Sequence, residues 1–250
     1  MNDGGKSQRR RLDVALVERG IVPTRARARD AILRGAIIVD GEAARRPAMM
    51  VSAHATIDAY DPAGRYVSRA ALKLEAGLDH FGYDPAGLSV LDIGASTGGF
   101  TELLIQRGAE RVYAVDVGHD QLHQRLRDHP AVRNREGLNA RDLTAGHVHG
   151  QVDAVVSDVS FISLTLALPP ALSLAAPGAD FVGLFKPQFE VGREHVGKGG
   201  IVTDIAAADA AAGRFTHWMK DKGWPIHAWT ASPISGGDGN AERLFHAMKA

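Results

Sequence analysis

The stretch Leu88-Ser89-Val90-Leu91-Asp92-Ile93-Gly94-Ala95-Ser96-Thr97-Gly98-Gly99-Phe100-Thr101-Glu102-Leu103-Leu104-Ile105 decides how the rest of the chain is read. An apolar run enters a small, glycine-rich turn, and the turn opens into a segment with helical spacing, so the pattern is strand, tight loop, helix. Glycines lack a Cβ and permit positive φ, which lets a ligand approach the backbone, and the helix start behind them offers unpaired N–H groups. Working outward, strand-like runs at 88–93, 111–117, 152–157, 179–185 and 225–232 alternate with stretches suited to helices. That alternation predicts a parallel, doubly wound α/β sheet, whose ligands bind at the carboxyl ends of the strands. Residues 241–248 alternate like a terminal strand, expected antiparallel and at an edge.

The composition sets bounds on this reading. A chain of 250 residues, 45% hydrophobic and 23% charged, has room for one large domain or two unequal ones with a proper core. With 0 Cys it has neither a disulfide framework nor a thiolate metal site, and no metal is expected. Arg9-Arg10-Arg11 is followed by no long apolar stretch, so no secretory signal is read. The most apolar window, 164–185, is interrupted by Pro169-Pro170, Pro177 and Asp180, which argues against a membrane-spanning helix and favours a cytoplasmic location. The balanced net charge hides an asymmetry: residues 1–60 hold eleven Lys/Arg against seven Asp/Glu, and the remainder 18 against 22. A basic N-terminal piece points to a nucleic-acid-facing module joined to something else.

Within that piece, residues 12–17 begin a short amphipathic helix that Gly20 can end. Thr24 reads as the N-cap of a second helix over 25–33, closed by Gly35. Residues 36–39 are strand-like, Asp40-Gly41 is hairpin-type turn chemistry, and 51–60 is the returning strand. Arg25 and Arg29, four apart, share a helix face and form a candidate phosphate-facing ridge. The pattern Arg11-Leu12-Asp13, Gly20, Thr24-Arg25, Ala28, Ile32, Gly35, Val39, Gly41 resembles the alpha-L RNA-binding domain named after ribosomal protein S4. The resemblance implies an RNA partner, with Arg11, Arg25, Arg29, Arg34 and, beyond the domain, Arg69 as the candidate contacts. Asp61-Pro62-Ala63-Gly64 reads as a turn, so the expected organisation is an α+β domain at 10–60, a linker at 61–67 and a catalytic domain at 68–250.

The central loop has the spacing Gly94-x-x-x-Gly98-Gly99, with Ser96 where a dinucleotide fingerprint needs glycine. No Lys-Ser/Thr pair follows, so it is not a phosphate-binding P-loop. A nucleoside less dependent on phosphate remains, and S-adenosylmethionine fits. Asp92 can order water or receive the methionine ammonium, and Gly94, Ala95, Ser96, Gly98, Gly99 and Phe100 form the cradle. Asp116 ends the next strand, where an acid accepts both ribose hydroxyls; Val117 follows it, and Asn139 and Ala140 pass beside the adenine after a third strand-like region. The alternative is a tight turn with a solvent-facing Asp92, which requires no partner at Asp116.

Two further residues end strands: Asp158 in Ser157-Asp158-Val159-Ser160-Phe161-Ile162-Ser163-Leu164, and Lys186 in Phe185-Lys186-Pro187-Gln188-Phe189-Glu190. Read alone, each could be structural, and Lys73 would be a solvated helix lysine. Together with Tyr66-Val67-Ser68-Arg69, Lys73-Leu74, Gly197-Lys198-Gly199-Gly200-Ile201-Val202, Ser232-Pro233-Ile234 and Gly239-Asn240, they make the chain resemble a known family. It is the haemolysin A (TlyA-type) family of RNA 2′-O-methyltransferases, whose catalytic domain is similar to the FtsJ kind. Before Val67 the chain departs from the pattern, with Gly64-Arg65-Tyr66 where some members carry Arg-x-Trp.

The resemblance implies a Rossmann-like class I methyltransferase domain using S-adenosylmethionine. It also implies a Lys-Asp-Lys-Glu tetrad at Lys73, Asp158, Lys186 and Glu242, with Asp158 also beside the cofactor. In that reading Lys186 takes a proton from, or stabilises, a ribose 2′-oxygen; Asp158 and Glu242 orient the lysines and Lys73 gives electrostatic support. The implied substrate is cytidine in ribosomal RNA, as free RNA or in subunits. Two rival readings are a membrane-lytic protein and an RNA-binding assembly factor with a dead catalytic fold. The first lacks a spanning or strongly basic amphipathic helix, and the second is opposed by the intact tetrad.

Overall fold

The computed structural model describes residues 9–60 and 65–250, and the chain divides into a unit of residues 1–65 and a unit of residues 66–250. The Asp61-Pro62-Ala63-Gly64 turn read from the sequence lies outside the described residues.

In the first unit β1 (Arg10–Arg11) leads directly into α1 (Leu12–Glu18), and α2 (Arg25–Leu33) follows a short turn. Thr24 caps α2 by accepting a hydrogen bond from Arg27 N–H at 3.3 Å, as its residue type and position predict. Leu12, Leu16, Ala28, Ala31 and Ile32 face inward and meet Ile37 and Val39 from β2 (Ile37–Val39). The Asp40-Gly41 turn links β2 to β3 (Glu42–Ala43), with both turn residues at positive φ. The returning segment is not one strand. β4 (Met50–Val51) pairs with β1 while β5 (Ile57–Ala59) pairs with β2. Between them the Arg19 guanidinium binds the carbonyls of Ser52, Ala53 and Ala55 at 3.1, 2.8 and 2.7 Å, folding the backbone out of the ladder.

The second unit is a seven-stranded sheet with helices on both faces. In chain order its elements are α3 (Ala70–Phe81), β6 (Ser89–Ile93), α4 (Gly99–Gln106), β7 (Arg111–Asp116), α5 (Gln124–Arg127) and β8 (Val132–Glu136). They continue with β9 (Val152–Ser157), α6 (Leu164–Ala167), α7 (Pro169–Leu174), β10 (Ala175–Phe185), α8 (Ile205–Asp221), β11 (Ile226–Ala231) and β12 (Arg243–Met248). The strand order is β11-β12-β10-β9-β6-β7-β8. The run from β10 to β8 is parallel, and β12 is antiparallel to both of its neighbours. The terminal strand is therefore antiparallel as expected, yet it sits inside the sheet rather than at its edge. Its side chains explain the position: Leu244 packs toward Gly77 of α3, while Phe245 is buried against Phe181, Phe215 and Trp229. β12 is thus packed on both faces and hydrogen-bonded on both sides, to β10 and to β11. β8, with the polar sequence Val-Arg-Asn-Arg-Glu, forms the opposite edge, and that polarity is why its bounds could not be read from hydrophobic pattern.

Period-two alternation sends Val90, Val112, Val156 and Val182 to the face covered by α3 and α4. Leu91, Tyr113, Val155 and Phe181 go to the face that also holds Phe215 and Met219 of α8. Each large apolar side chain buried this way contributes roughly 1.5–3 kcal/mol. Gly77 faces the sheet, and a Cβ there would be in ordinary contact, 3.4 Å from Leu244 and Val182. Lys73 lies one turn earlier on the same helix face and is buried. Among the described residues no helix is long and apolar enough to cross a membrane.

Candidate active site

The site is built where β6, β7, β9 and β10 end. Asp92, the penultimate residue of β6, is fully buried and accepts a hydrogen bond from Thr101 Oγ1 at 2.6 Å, while its Oδ1 has no partner. Burial, chiefly, pushes its carboxyl up to about 7; the Thr101 hydrogen bond opposes this, and the negative charges of Asp158 and Asp116 add to it. Gly94 follows at φ +85°, and a Cβ there would come within 3.0–3.1 Å of the backbone of Asp158 and Val159. The first loop and the loop after β9 thus cross in contact, which only glycine allows. Ser96 takes the positive φ (48°) usual for glycine and donates its N–H to Asp116 Oδ2 at 2.8 Å. Asp116 also accepts from Gly118 N–H at 2.7 Å, so the acid at the end of β7 ties two loops together.

These loops enclose a cavity of about 490 Å³ lined by Gly94, Ser96, Asp116, Val117, Asn139, Ala140 and Asp158, all expected from the sequence. That volume lies within the roughly 300–1,000 Å³ span of small-molecule sites. Asp92 and Gly98 do not line it: Asp92 lies beneath the loop and Gly98 packs against Leu122 and Leu126. A second cavity of about 150 Å³ adjoins it, lined by Gly94, Ala95, Ser96, Gly99 and Phe100 on one side and by Asp158, Ser160 and Lys186 on the other. Gln121, Leu138, Ser160, Phe161 and Ile162 are also among the wall residues and were not anticipated. Phe161 and Ile162 stand in the quoted Ser157–Leu164 stretch, but nothing in their spacing marks them as lining residues.

Lys186 Nζ lies 2.6 Å from Asp158 Oδ1 and donates to Ser160 Oγ at 2.8 Å and to the Asp158 carbonyl at 3.3 Å. Lys73 Nζ is 2.5 Å from Glu242 Oε2, and both side chains are nearly inaccessible. Glu242 immediately precedes β12. Its carboxyl is pushed up by burial, against the pull of Lys73; Lys186 also lowers it and Asp158 raises it, so the two ion pairs act on one another. The four tetrad residues, from four separate parts of the chain, are therefore brought together as two interacting pairs. Burial makes each pair costly to break, because removing one partner strands a charge away from water. Beside them Phe161 is 91% exposed, held at φ +66°, with its ring 5.3 Å from that of Phe189. The ring therefore stands in solvent at the wall of the larger cavity, on a backbone conformation that side-chain-bearing residues seldom adopt.

In the first unit, Asp13 accepts from Arg11 and Arg25, both at 2.9 Å, and Arg34 pairs with Asp30 at 3.1 Å. Arg29 is exposed on α2, and Arg45 and Arg46 are exposed before β4; the sequence reading did not include these last two. Arg69 belongs to the second unit, at the N-cap of α3. Among the described residues there is no group of three or more His, Asp or Glu that could hold a metal ion.

Residues 66–249 match the model of the FtsJ-like methyltransferase family. The chain belongs to that family. Its residues 10–57 match the S4 domain, which joins the FtsJ-like domain to an RNA-binding module. The FtsJ-like chain is 43% identical over 237 residues to the 16S/23S rRNA (cytidine-2′-O)-methyltransferase TlyA of Mycobacterium tuberculosis, covering 94% of this chain and 88% of that one. It is 38% identical to hemolysin A of Brachyspira hyodysenteriae, covering 94% and 98%. Among solved structures, a hemolysin-named protein from Streptococcus thermophilus aligns with a TM-score of 0.77 at 37% identity, covering 98% of this chain and 90% of that one.

Proposed function

We infer that this protein transfers the methyl group of S-adenosylmethionine to the 2′-hydroxyl of a cytidine ribose in ribosomal RNA. The observation that carries the reading is the meeting of the Lys186–Asp158 and Lys73–Glu242 pairs beside the glycine loop of an FtsJ-like domain. The cavity suits the cofactor on its own chemistry: Asp92 keeps a buried oxygen without a partner beneath the loop, and Asp116 ends the neighbouring strand with two acceptor oxygens. When bound, the cofactor supplies an electrophilic methyl group on a positively charged sulfur. Asp116 would hold the ribose hydroxyls, Asn139 and Ala140 would border the adenine, and Gly94, Ala95, Ser96 and Gly99 would hold the amino-acid end above Asp92, whose charge would act on the ammonium from beneath the loop.

Lys186 would take the proton of the RNA 2′-hydroxyl or stabilise the developing alkoxide, held in place by Asp158. The Lys73–Glu242 pair sets the field in which that charge develops. Phe161, exposed and backed by Phe189, offers a ring on which an unstacked base can rest. Arg11, Arg25, Arg29, Arg34 and Arg69 would contact phosphates, which position the RNA without reading its sequence. A ribosomal substrate places the work in the cytoplasm.

Incubation with methyl-labelled cofactor and unmodified ribosomal RNA or subunits, followed by nucleoside mass spectrometry, should yield 2′-O-methylcytidine; no such product would refute the reading. Lys186→Ala should lower the transfer rate by about 100-fold or more while cofactor affinity holds. Near-normal turnover in that variant would remove Lys186 from its role.

A further inference from the structure

We propose that Ser160 is a positioning residue for Lys186, the one partner able to hold that lysine in both of its protonation states. The proposal rests on the reading of Lys186 as the group that handles the 2′-hydroxyl proton.

An ammonium carries three N–H donors and no acceptor. Lys186 Nζ has three oxygen neighbours: Asp158 Oδ1 at 2.6 Å, Ser160 Oγ at 2.8 Å and the Asp158 carbonyl at 3.3 Å. The contacts to Ser160 Oγ and to the Asp158 carbonyl have hydrogen-bond geometry, whereas Asp158 Oδ1 accepts no hydrogen bond and acts on the ammonium by its charge. Two of the three partners, a carboxylate and a carbonyl, can only accept. A hydroxyl can accept from an ammonium and, after rotating, donate to the lone pair of an amine. Ser160 is also exposed and lines the wall common to both cavities, whereas Lys186 is 7% exposed. The other charged groups that act at this point are Asp158 after β9 and the Lys73–Glu242 pair from α3 and the segment before β12; the members of that pair are engaged with each other.

The 2′-oxygen forms its bond to the methyl carbon, the carbon–sulfur bond breaks with its electron pair left on sulfur, and the hydroxyl proton passes to neutral Lys186. Ser160 rotates off the single lone pair of neutral Nζ, leaving it to the 2′-hydroxyl, and accepts from Nζ once it is charged. The enzyme resets when Ser160 gives its own proton to water and takes one from Nζ. Of the two hydrogen bonds, the one from the ammonium is charge-assisted and the stronger, so Ser160 on balance favours the charged lysine.

The test compares wild type with Ser160→Ala and Ser160→Thr in single-turnover methyl transfer. In parallel, the Lys186 signal is titrated by NMR of protein carrying ¹³C-labelled lysine, assigned by its loss in Lys186→Arg. Ser160→Ala should lower kcat by about tenfold, with KM for RNA and the cofactor Kd within about twofold of wild type. Ser160→Thr, which keeps the hydroxyl, should recover most of the rate. The Lys186 signal should titrate about one pH unit lower in Ser160→Ala and unchanged in Ser160→Thr. A Ser160→Ala rate near wild type, a Ser160→Thr variant as slow as Ser160→Ala, or an unmoved titration would each overturn the proposal. If wild type transfers no methyl group to RNA, the functional reading falls, and the lysine titration still decides the role of Ser160.

Discussion

Asp13 and Asp92 are both closed off from water, each on a short element near the start of its unit, and their carboxyls are driven in opposite directions. The Arg11 hydrogen bond, seconded by Arg25, holds Asp13 well below the usual carboxylate range. Asp13 is shielded by a thin cover in a small unit, and its arginines remain about half exposed. Asp92 lies deep under the sheet's first loop, hydrogen-bonded by the neutral groups of Thr101 and with one oxygen left without a partner, and it is pushed up to about 7. A buried acid that already has its cations serves the fold. A buried acid that lacks one is poised for a ligand that brings it, and a cofactor with a cationic ammonium is such a ligand.

The comparison breaks most visibly on substitution of Asp92. Asp92→Asn should weaken cofactor binding by about tenfold or more, measured by calorimetry, while leaving the melting temperature equal or higher, because the variant no longer buries an ionisable acid without a cation. A large loss of stability would show that Asp92 belongs with Asp13.

The pH dependence follows from the same carboxyl. Asp92 is neutral below about 7, and a cation prefers the carboxylate. Cofactor affinity should therefore climb as pH rises toward 7, by at most about tenfold per unit, and level off above it. The folded-state value is raised, so the stability of the ligand-free protein should fall as pH rises from the ordinary carboxylate range to about 7. Both trends should be absent in Asp92→Asn.

Asp13→Asn has the reverse signature: a loss of about 1–2 kcal/mol, small because the arginines can return to solvent, with cofactor affinity unchanged. Thermal unfolding and calorimetry on one sample would sharpen the contrast. Smallest is Arg29→Ala, which removes an exposed charge that has no ion-pair partner among the described residues. RNA affinity should drop about threefold and the slope of log affinity against log salt should flatten by about one, with stability unaffected.

Local pattern carried much of the fold. Thr24 and the 25–33 helix, the Asp40-Gly41 turn and the alternation of strands and helices follow from side-chain chemistry within a few residues. The cavity wall was legible in part, since acids such as Asp116 and Asp158 that end strands announce themselves by position. Ser160, Phe161, Gln121 and Thr101 were not legible as site residues, because serines, threonines and aromatics of the same kind occur throughout the chain and only their neighbours in space distinguish them. β12 was misjudged as an edge strand because alternation reports that a strand has two faces, not which neighbours will cover them.

The sequence by itself determined the elements, the glycine loop, the strand-ending acids and, through resemblance, the identity of the four tetrad residues. Tertiary structure alone decided that Lys73 is buried on Glu242 rather than solvated, that Lys186 has three oxygen partners, and that Asp92 has no cation. The reason is physical: helix caps and turns are settled by atoms a few bonds apart, whereas the charge state and reach of a buried group depend on solvent exclusion and on partners up to 169 residues away.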